Sequence, residues 1–420
     1  MRLLIGFVGT GDYIEVKYFL NGKECKDRYP FACLYNWFSP DKVYIISTQK
    51  GLNKHREAIK KRIPPVEFLE ILTPKNERDI WEIYNRVREK IEMGDEIILD
   101  ITFSFRHIPF MLYSTLLYMM EMKNVNVIGI YYGALEAGED KDGEKKVPIF
   151  NVTGSLRVVE WLYAMNDMDK YGRGERIQTL TKRFKRERAL QGDKNLPRYG
   201  FLDKIAGNIE TISRSLYLNQ NIDALRSAYS LKKQISEHEE DMEYVMREYP
   251  PIQDLKNIIK NIGDLSASNL SEVNGEILSK LLGLADYQRK IGLIGEALET
   301  LREWLVSYVI WICNINRRGW LKREVREDAE KAMGLIKKEF LKENTNDLER
   351  TNHYYQLKKI LPKLPIKLSD LASLWDDVAQ LRNKIAHAGM SEDRIEHRNI
   401  NMKIEKLMES YRILIEGVKK

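Results

Sequence analysis

With 420 residues, 43% hydrophobic and 31% charged, the chain is longer than one core usually serves and too evenly mixed for a disordered tail, so two folded domains are expected. Its 68 basic residues nearly match 62 acidic ones, and the net charge of +6 permits an anionic partner without demanding one. Cys25, Cys33 and Cys313 form no CxxC pair and have no companion histidines, so neither a disulfide framework nor a zinc site is expected, and a reducing cytoplasm is the expected compartment.

The opening MRLLIGFVG could pass for a signal peptide, but GTGDY interrupts its apolar run and no small-residue cleavage site follows. A buried strand, LLIGFV, is the better reading. Next, YIEVKYFLNGKECKDRY alternates around Asn21-Gly22, the dipeptide suited to a tight hairpin because both residues tolerate positive φ. A small inserted hairpin is expected there, before a helix near FACLYNWF. Four more apolar runs follow, at Val43 to Thr48, Val66 to Leu72, Glu96 to Thr102 and Val125 to Gly133. Continuous apolar runs imply strands buried on both faces, and intervening stretches such as ERDIWEIYNRVREKIEMG have the length of crossover helices. Together these describe an α/β domain, a Rossmann-like doubly wound, parallel-rich sheet with an inserted hairpin. The apolar run IPFMLYSTLLYMM falls short of the ~20 residues a bilayer requires, so no membrane contact is expected.

Beyond about Ser155 apolar residues recur at three- and four-residue steps, as in IGEALETLREWLVSYVIWIC and LSDLASLWDDVAQLRNKIAHA, which predicts an all-α second half. The expected division is an α/β domain at 1–155, a helical basic linker at 156–200, and a helical domain at 201–420. Basic runs at Arg173 to Arg188 and at Arg317 to Glu327 read as solvated helix faces.

In doubly wound sheets a ligand binds beyond the carboxyl ends of the strands. The residues there are Gly9, Thr10, Gly11 and Asp12 after the first strand, and Ser47 and Thr48 after the second. Thr102, Ser104, Phe105, Arg106 and His107 follow the fourth, and Tyr132 and Gly133 the fifth. Glycines, small hydroxyls and an arginine fork suit phosphates and nucleobase edges. GTGDYIE lacks the third glycine of the dinucleotide fingerprint and runs into a hairpin instead of a helix, which argues against NAD. Read plainly, Gly9 and Gly11 make a tight turn and Arg106-His107 a polar helix start.

MRLLIGFVGTGDY with its hairpin, and above all DITFSFRHIPF, resemble the CRISPR-associated Rossmann-fold (CARF) domains of type III CRISPR accessory proteins. The resemblance is to the branch marked by D-x-T-x-G-F-R-x-x-P. Asp100, Thr102, Phe105, Arg106 and Pro109 match; Ser104 stands where that branch usually has glycine, which bears on how closely a ligand approaches that backbone. Near the other end, LRNKIAHAG resembles the R-x(4–6)-H motif of HEPN ribonucleases, with four residues between Arg382 and His387 and the polar Asn383 after the arginine. The plain reading of His387 is a helix-end imidazole favoured by the helix dipole, with Gly389 as cap.

The two resemblances imply a homodimer. Its paired CARF domains would bind a cyclic oligoadenylate, cyclic tetra-adenylate being the ring expected, as activator and not as cofactor. Its HEPN domain would cut single-stranded RNA without metal, with Arg382, Asn383 and His387 as catalytic residues of a composite site. Two other readings stand beside this one: a CARF regulator that binds nucleic acid without cutting it, and a CARF ring nuclease that degrades its own messenger.

Overall fold

The computed structural model describes residues 1–104, 107–141, 143–190, 192–345, 348–363, 367–386 and 397–419. The chain divides into two compact units, Met1–Val159 and Glu160–Lys420.

The first unit is built in chain order from β1 (Arg2–Phe7), β2 (Val16–Leu20), β3 (Lys23–Asp27), α1 (Pro30–Phe38), β4 (Lys42–Thr48), α2 (Gln49–Arg62) and β5 (Val66–Ile71). It continues with α3 (Glu77–Glu89), β6 (Glu96–Asp100), α4 (His107–Lys123), β7 (Asn126–Gly133), β8 (Glu139–Lys141) and β9 (Glu144–Asn151). The sheet runs β3-β2-β9-β7-β6-β1-β4-β5, with β8 on β9. From β7 to β5 every pairing is parallel. Strand order reverses at β1, and the crevice beside its carboxyl end is where a doubly wound sheet accepts a ligand.

Alternation along the strands shows why their sequences are continuously apolar. Leu3, Ile5 and Phe7 of β1 enter one core and Leu4 the other; Tyr44 and Ile46 of β4 oppose Val43 and Ile45 in the same way. Each fully buried aliphatic side chain contributes about 1.5–3 kcal/mol, so a polar residue on either face of these strands would be costly.

The hairpin forms as expected, with Asn21 at φ 48° and Gly22 at φ 80° and antiparallel pairing of β2 with β3. Two features differ from expectation. Strands continue past β7: β9 pairs antiparallel with β7 and parallel with β2, so it joins the hairpin to the main sheet. The sequence Asp142-Gly143 carries the hairpin signal for β8 and β9, with Gly143 at φ 77°. Secondly, Cys25 and Cys33 form a disulfide, with Cα atoms 5.7 Å apart. This corrects the expectation that no cysteines pair. The chain reverses between β3 and α1, and that reversal brings together two residues whose sequence spacing is not distinctive.

The second unit comprises α5 (Gly154–Tyr171), which crosses the division, α6 (Glu175–Leu190), α7 (Phe201–Tyr217), α8 (Asn221–Glu237), α9 (Glu239–Glu248) and α10 (Leu255–Gly263). Then follow α11 (Gly275–Lys290), α12 (Ile294–Cys313), α13 (Arg323–Phe340), α14 (Asn352–Ile360), α15 (Leu368–Ala386) and α16 (His397–Lys419). Helix α12 is apolar nearly all round because neighbours cover most of it: Leu298, Leu301, Trp304, Leu305, Tyr308 and Val309 are fully buried. Its Trp304 Nε1 donates to Leu278 O at 2.7 Å, and Tyr411 of α16 donates to Leu301 O at 3.2 Å. These bonds spare buried polar atoms the cost of going unpaired. Helix α15 packs through Leu371, Val378 and Leu381, all buried on one stripe.

The segment expected as a linker, 156–200, holds most of α5, all of α6 and a short 3-10 turn at Leu196–Tyr199, and Trp161, Ile177, Leu180, Phe184 and Tyr199 join the same core as α12. The basic runs are largely neutralised by partners. Arg183 pairs with Glu160, Lys185 with Asp203, Arg318 with Glu272, Arg323 with Glu327 and Arg326 with Glu303. Among the described residues no helix is long and apolar enough to cross a membrane.

Candidate functional site

The loop after β1 is held from below by the first turns of α2. Thr48 caps that helix, its Oγ1 accepting from Gly51 N at 3.4 Å. Lys54, one turn further on, donates to Thr10 O at 3.0 Å and pairs with Asp12 at 2.6 Å, holding that carboxyl below the usual range. His55 Nε2 donates to Gly11 O at 3.0 Å, and its Nδ1 accepts from the Tyr29 hydroxyl at 2.9 Å. A carbonyl only accepts, so Nε2 carries a proton, and in the neutral ring Nδ1 is then the acceptor. Burial lowers the His55 pKa from its ordinary 6.5, consistent with that assignment.

Tyr13 closes the loop from above. Its hydroxyl accepts from Gly9 N at 2.8 Å, and its ring stacks on Phe103 at 3.8 Å between centroids. Neither Gly9 nor Gly11 has positive φ, so a tight left-handed turn is not what calls for glycine. A Cβ at Gly9 would lie 3.1 Å from the Tyr13 hydroxyl, and one at Gly11 would lie 3.2 Å from its ring. Gly51, which sequence reasoning missed, is more constrained: a Cβ there would lie 2.3 Å from Ser47 Oγ and 2.9 Å from Gly9 O. The small residue lets α2 approach the loop.

Beside this loop, Phe7, Val8, Gly9, Ile46, Ser47 and Ile71 meet Phe103, Ser104 and Ile108 around a cavity of about 180 Å³. The hydroxyls expected to face a ligand already have work within the protein. Ser47 donates to Val8 O at 2.6 Å, and Ser104 donates to Ile101 O at 3.0 Å. Thr102 Oγ1 donates to Asp100 Oδ1 at 2.5 Å and accepts from Gly133 N at 2.8 Å, so it ties the end of β6 to the end of β7. Tyr132 donates to both carboxylate oxygens of Glu136, at 2.9 and 3.1 Å. Thr10, Gly11 and Asp12 are exposed, and His107 is exposed at the start of α4. Phe105 and Arg106 lie outside the described residues.

Asp100 is fully buried, and its Oδ2 makes no hydrogen bond. Burial pushes its pKa up to about 6, against the pull of the Thr102 hydroxyl and amide. Its neighbour in the core, Tyr18, also has a buried hydroxyl without a partner, and burial and the Asp100 carboxyl together raise its pKa. The carboxyl therefore sets loop geometry through Thr102 and, being buried, is not presented to a ligand.

In the second unit Arg382 and Asn383 stand in the last two turns of α15. Arg382 Nε donates to Glu299 of α12 in a close ion pair, while Asn383 is exposed. Engagement through Nε leaves the two Nη groups of the guanidinium as the donors able to reach a phosphate. Glu299 was not singled out in the sequence, where nothing marks it among 62 acidic residues. His387 lies outside the described residues. Among the described residues no group of His, Cys, Asp and Glu is arranged to hold a metal ion.

Residues 3–136 match the family model for the CARF domain of the CRISPR system endoribonuclease Csx1, and residues 157–269 match that for the second domain of the CRISPR-associated protein MJ1674. That protein, from Methanocaldococcus jannaschii, is 31% identical over 140 residues, covering 32% of this chain and 22% of its own length. The match therefore spans less than a quarter of that relative. A solved structure of Enterococcus italicus Csm6 bound to cyclic hexa-2'-fluoro-hexa-dAMP aligns with 99% of this chain and 94% of its own, at 12% identity and a TM-score of 0.45. The N-terminal unit is thus a CARF-type domain by its sequence match.

Proposed function

We propose that the chain is a type III CRISPR accessory ribonuclease whose first unit binds a cyclic oligoadenylate and whose second unit cuts single-stranded RNA. The observation that carries this reading is the joint presence of a clamped loop and cavity at the switch point of a CARF-type sheet and, on α15, an arginine already oriented by Glu299. The apolar walls supplied by Ile46, Ile71, Phe103 and Ile108 suit the faces of a nucleobase, with the polar ring edges toward the loop backbone.

RNA supplies its own nucleophile, the 2′-hydroxyl, so the protein must move protons and stabilise a crowded anionic phosphorane. His387 exchanges the proton and Arg382 binds the phosphate oxygens, its Nη groups aimed by the Nε bond to Glu299. Asn383 adds a neutral donor. One helix offers one such set, so two copies would complete the site. Helix α4 supports self-association: Phe110, Tyr118 and Met122, spaced eight and four residues apart, stand exposed, and a second copy of the chain can cover them isologously.

The ion pair of Arg382 with Glu299 is also what a purely structural helix end would show, which favours the non-catalytic regulator as second reading. The ring-nuclease reading has less support, because Ser47, Thr102 and Ser104 donate their protons to the protein. A labelled-RNA cleavage assay with cyclic tri-, tetra- and hexa-adenylate in parallel separates the readings. Ring-dependent cleavage supports the ribonuclease; RNA bound but never cut supports the regulator; loss of the ring with RNA intact supports the ring nuclease.

A further inference from the structure

A lysine without a carboxylate partner is unremarkable alone; three of them converge on one groove between α15 and α16. Leu374, Asp377, Gln380, Leu381 and Lys384 of α15 face Lys403, Lys406, Leu407 and Ser410 of α16 across a groove of about 260 Å³. Its floor is apolar, since Leu374, Leu381 and Leu407 are buried. Its rims are basic: Lys384, Lys403 and Lys406 are exposed, and no carboxylate of the described residues pairs with any of them. Asp377 is the one acidic group among the lining residues, while Glu405 and Glu409 on α16 are occupied by Arg289 and Arg412. Lys384 lies in the last turn of α15, next to Asn383 and two residues from Arg382.

We propose that this groove is the path by which single-stranded RNA reaches the end of α15, with Lys384, Lys403 and Lys406 holding successive backbone phosphates and the apolar floor receiving the faces of bases. The inference rests on the ribonuclease reading for its direction toward Arg382, but RNA binding in the groove is testable without cleavage. Lysine binds phosphate as a point charge on a flexible stem, which suits a strand held without sequence preference. Cationic rims that track the backbone bind single strands through counterion release, and the leucine floor offers the bases apolar contact in place of aromatic stacking. An acidic protein segment would need the rims alone.

The test uses the full-length protein and a short fluorescein-labelled 2′-O-methyl RNA, which cannot be cut by its own 2′-oxygen. Fluorescence anisotropy is read across a salt series for wild type, Lys403→Glu/Lys406→Glu, Lys403→Gln/Lys406→Gln, and Lys359→Glu as a surface control. Each lost contact should weaken binding roughly tenfold or more, and loss of two should flatten the salt slope by about 1.4. The Gln pair should show the same slope change with smaller loss, and Lys359→Glu should match wild type. Affinity and slope unchanged in both pairs would overturn the proposal, as would a pair that alters the oligomeric state while leaving RNA binding intact. Cleavage of ordinary RNA separates this from the parent reading. Binding that weakens in a protein that never cuts leaves the groove standing and removes the ribonuclease; cleavage with unchanged KM in the lysine pairs does the reverse.

Discussion

His55 Nε2 lies 3.0 Å from the carbonyl oxygen of Gly11, forty-four residues away in sequence, and this bond joins the loop after β1 to helix α2. On its other side the ring accepts from Tyr29, so a single imidazole fixes two segments that meet nowhere else in sequence. Protonation would turn Nδ1 into a donor and make the Tyr29 hydroxyl reverse its role from donor to acceptor.

Burial of the ring gives a pH dependence. Burial depresses the folded-state pKa of His55 below 6.5, so its contribution to stability is complete above pH 6.5 and is lost as the pH falls from there through the lower folded value. His55→Leu should remove this component, leave Gly11 O and the Tyr29 hydroxyl unpaired, and cost about 1–3 kcal/mol at neutral pH. Urea denaturation of wild type and variant from pH 5 to pH 8 measures both effects. Equal slopes against pH would show that the ring titrates alike in the folded and unfolded chain.

Asp100 has the opposite sign. Its carboxyl keeps a proton up to about pH 6 when folded and releases it near 3.8 when unfolded. Its contribution is therefore complete below pH 3.8 and is lost as the pH rises through about 6, which corresponds to about 3 kcal/mol. Asp100→Asn keeps an acceptor for Thr102 and should abolish that slope. The same urea series reads it, and a variant as pH-dependent as wild type between pH 4 and pH 7 would assign the titration elsewhere.

Reduction should loosen the hairpin. The Cys25–Cys33 link closes a short loop between β3 and α1, and a loop of that length contributes about 2–3 kcal/mol. Thermal melts with and without reductant, beside Cys25→Ser, should show that loss in both reduced wild type and variant. Cys313 is buried, with its thiol pushed up to about 12, so native oxidised protein should react with a thiol reagent only on unfolding and then at one site.

Glu299→Gln should lower the cleavage kcat about tenfold while leaving the activating concentration of messenger and RNA affinity nearly unchanged, because it relaxes the aim of Arg382 without removing its charge. His387→Ala should remove cleavage altogether and serve as the reference. Single-turnover kinetics distinguish the two; a Glu299→Gln enzyme with wild-type kcat and altered melting would make the ion pair structural.

Arg106→Ala should raise the messenger concentration needed for half-maximal cleavage roughly tenfold to a hundredfold, the worth of one charge-assisted phosphate contact. Maximal cleavage should change less, since a contact shared by active and inactive states alters affinity without altering the switch. Dose-response curves with one RNA check this, and superimposable curves would place Arg106 away from the messenger.

By itself the sequence determined the elements whose signals are local. The apolar runs of β1, β4 and β6 must be buried on both faces wherever they pack, Asn21-Gly22 must turn, and the apolar stripe of α15 must face a core. Strand order within a doubly wound sheet follows from the alternation of strands and helices, so the crevice after β1 was legible too. The tertiary structure alone decided what each polar side chain is free to do. Thr102, Ser47 and Ser104 look alike in sequence as phosphate donors, yet each has its proton drawn to a neighbouring acceptor once β6, β7 and the loop after β1 converge. Glu299 meets Arg382 across eighty-three residues, Cys25 meets Cys33 because the chain reverses between β3 and α1, and Lys384, Lys403 and Lys406 meet no carboxylate of the described residues while Lys185 of α6 meets Asp203. Hydrophobic burial is set by the average character of a segment and can be read along the chain, whereas a hydrogen bond or ion pair depends on one partner at about 3 Å, and only the folded chain determines which partner that is.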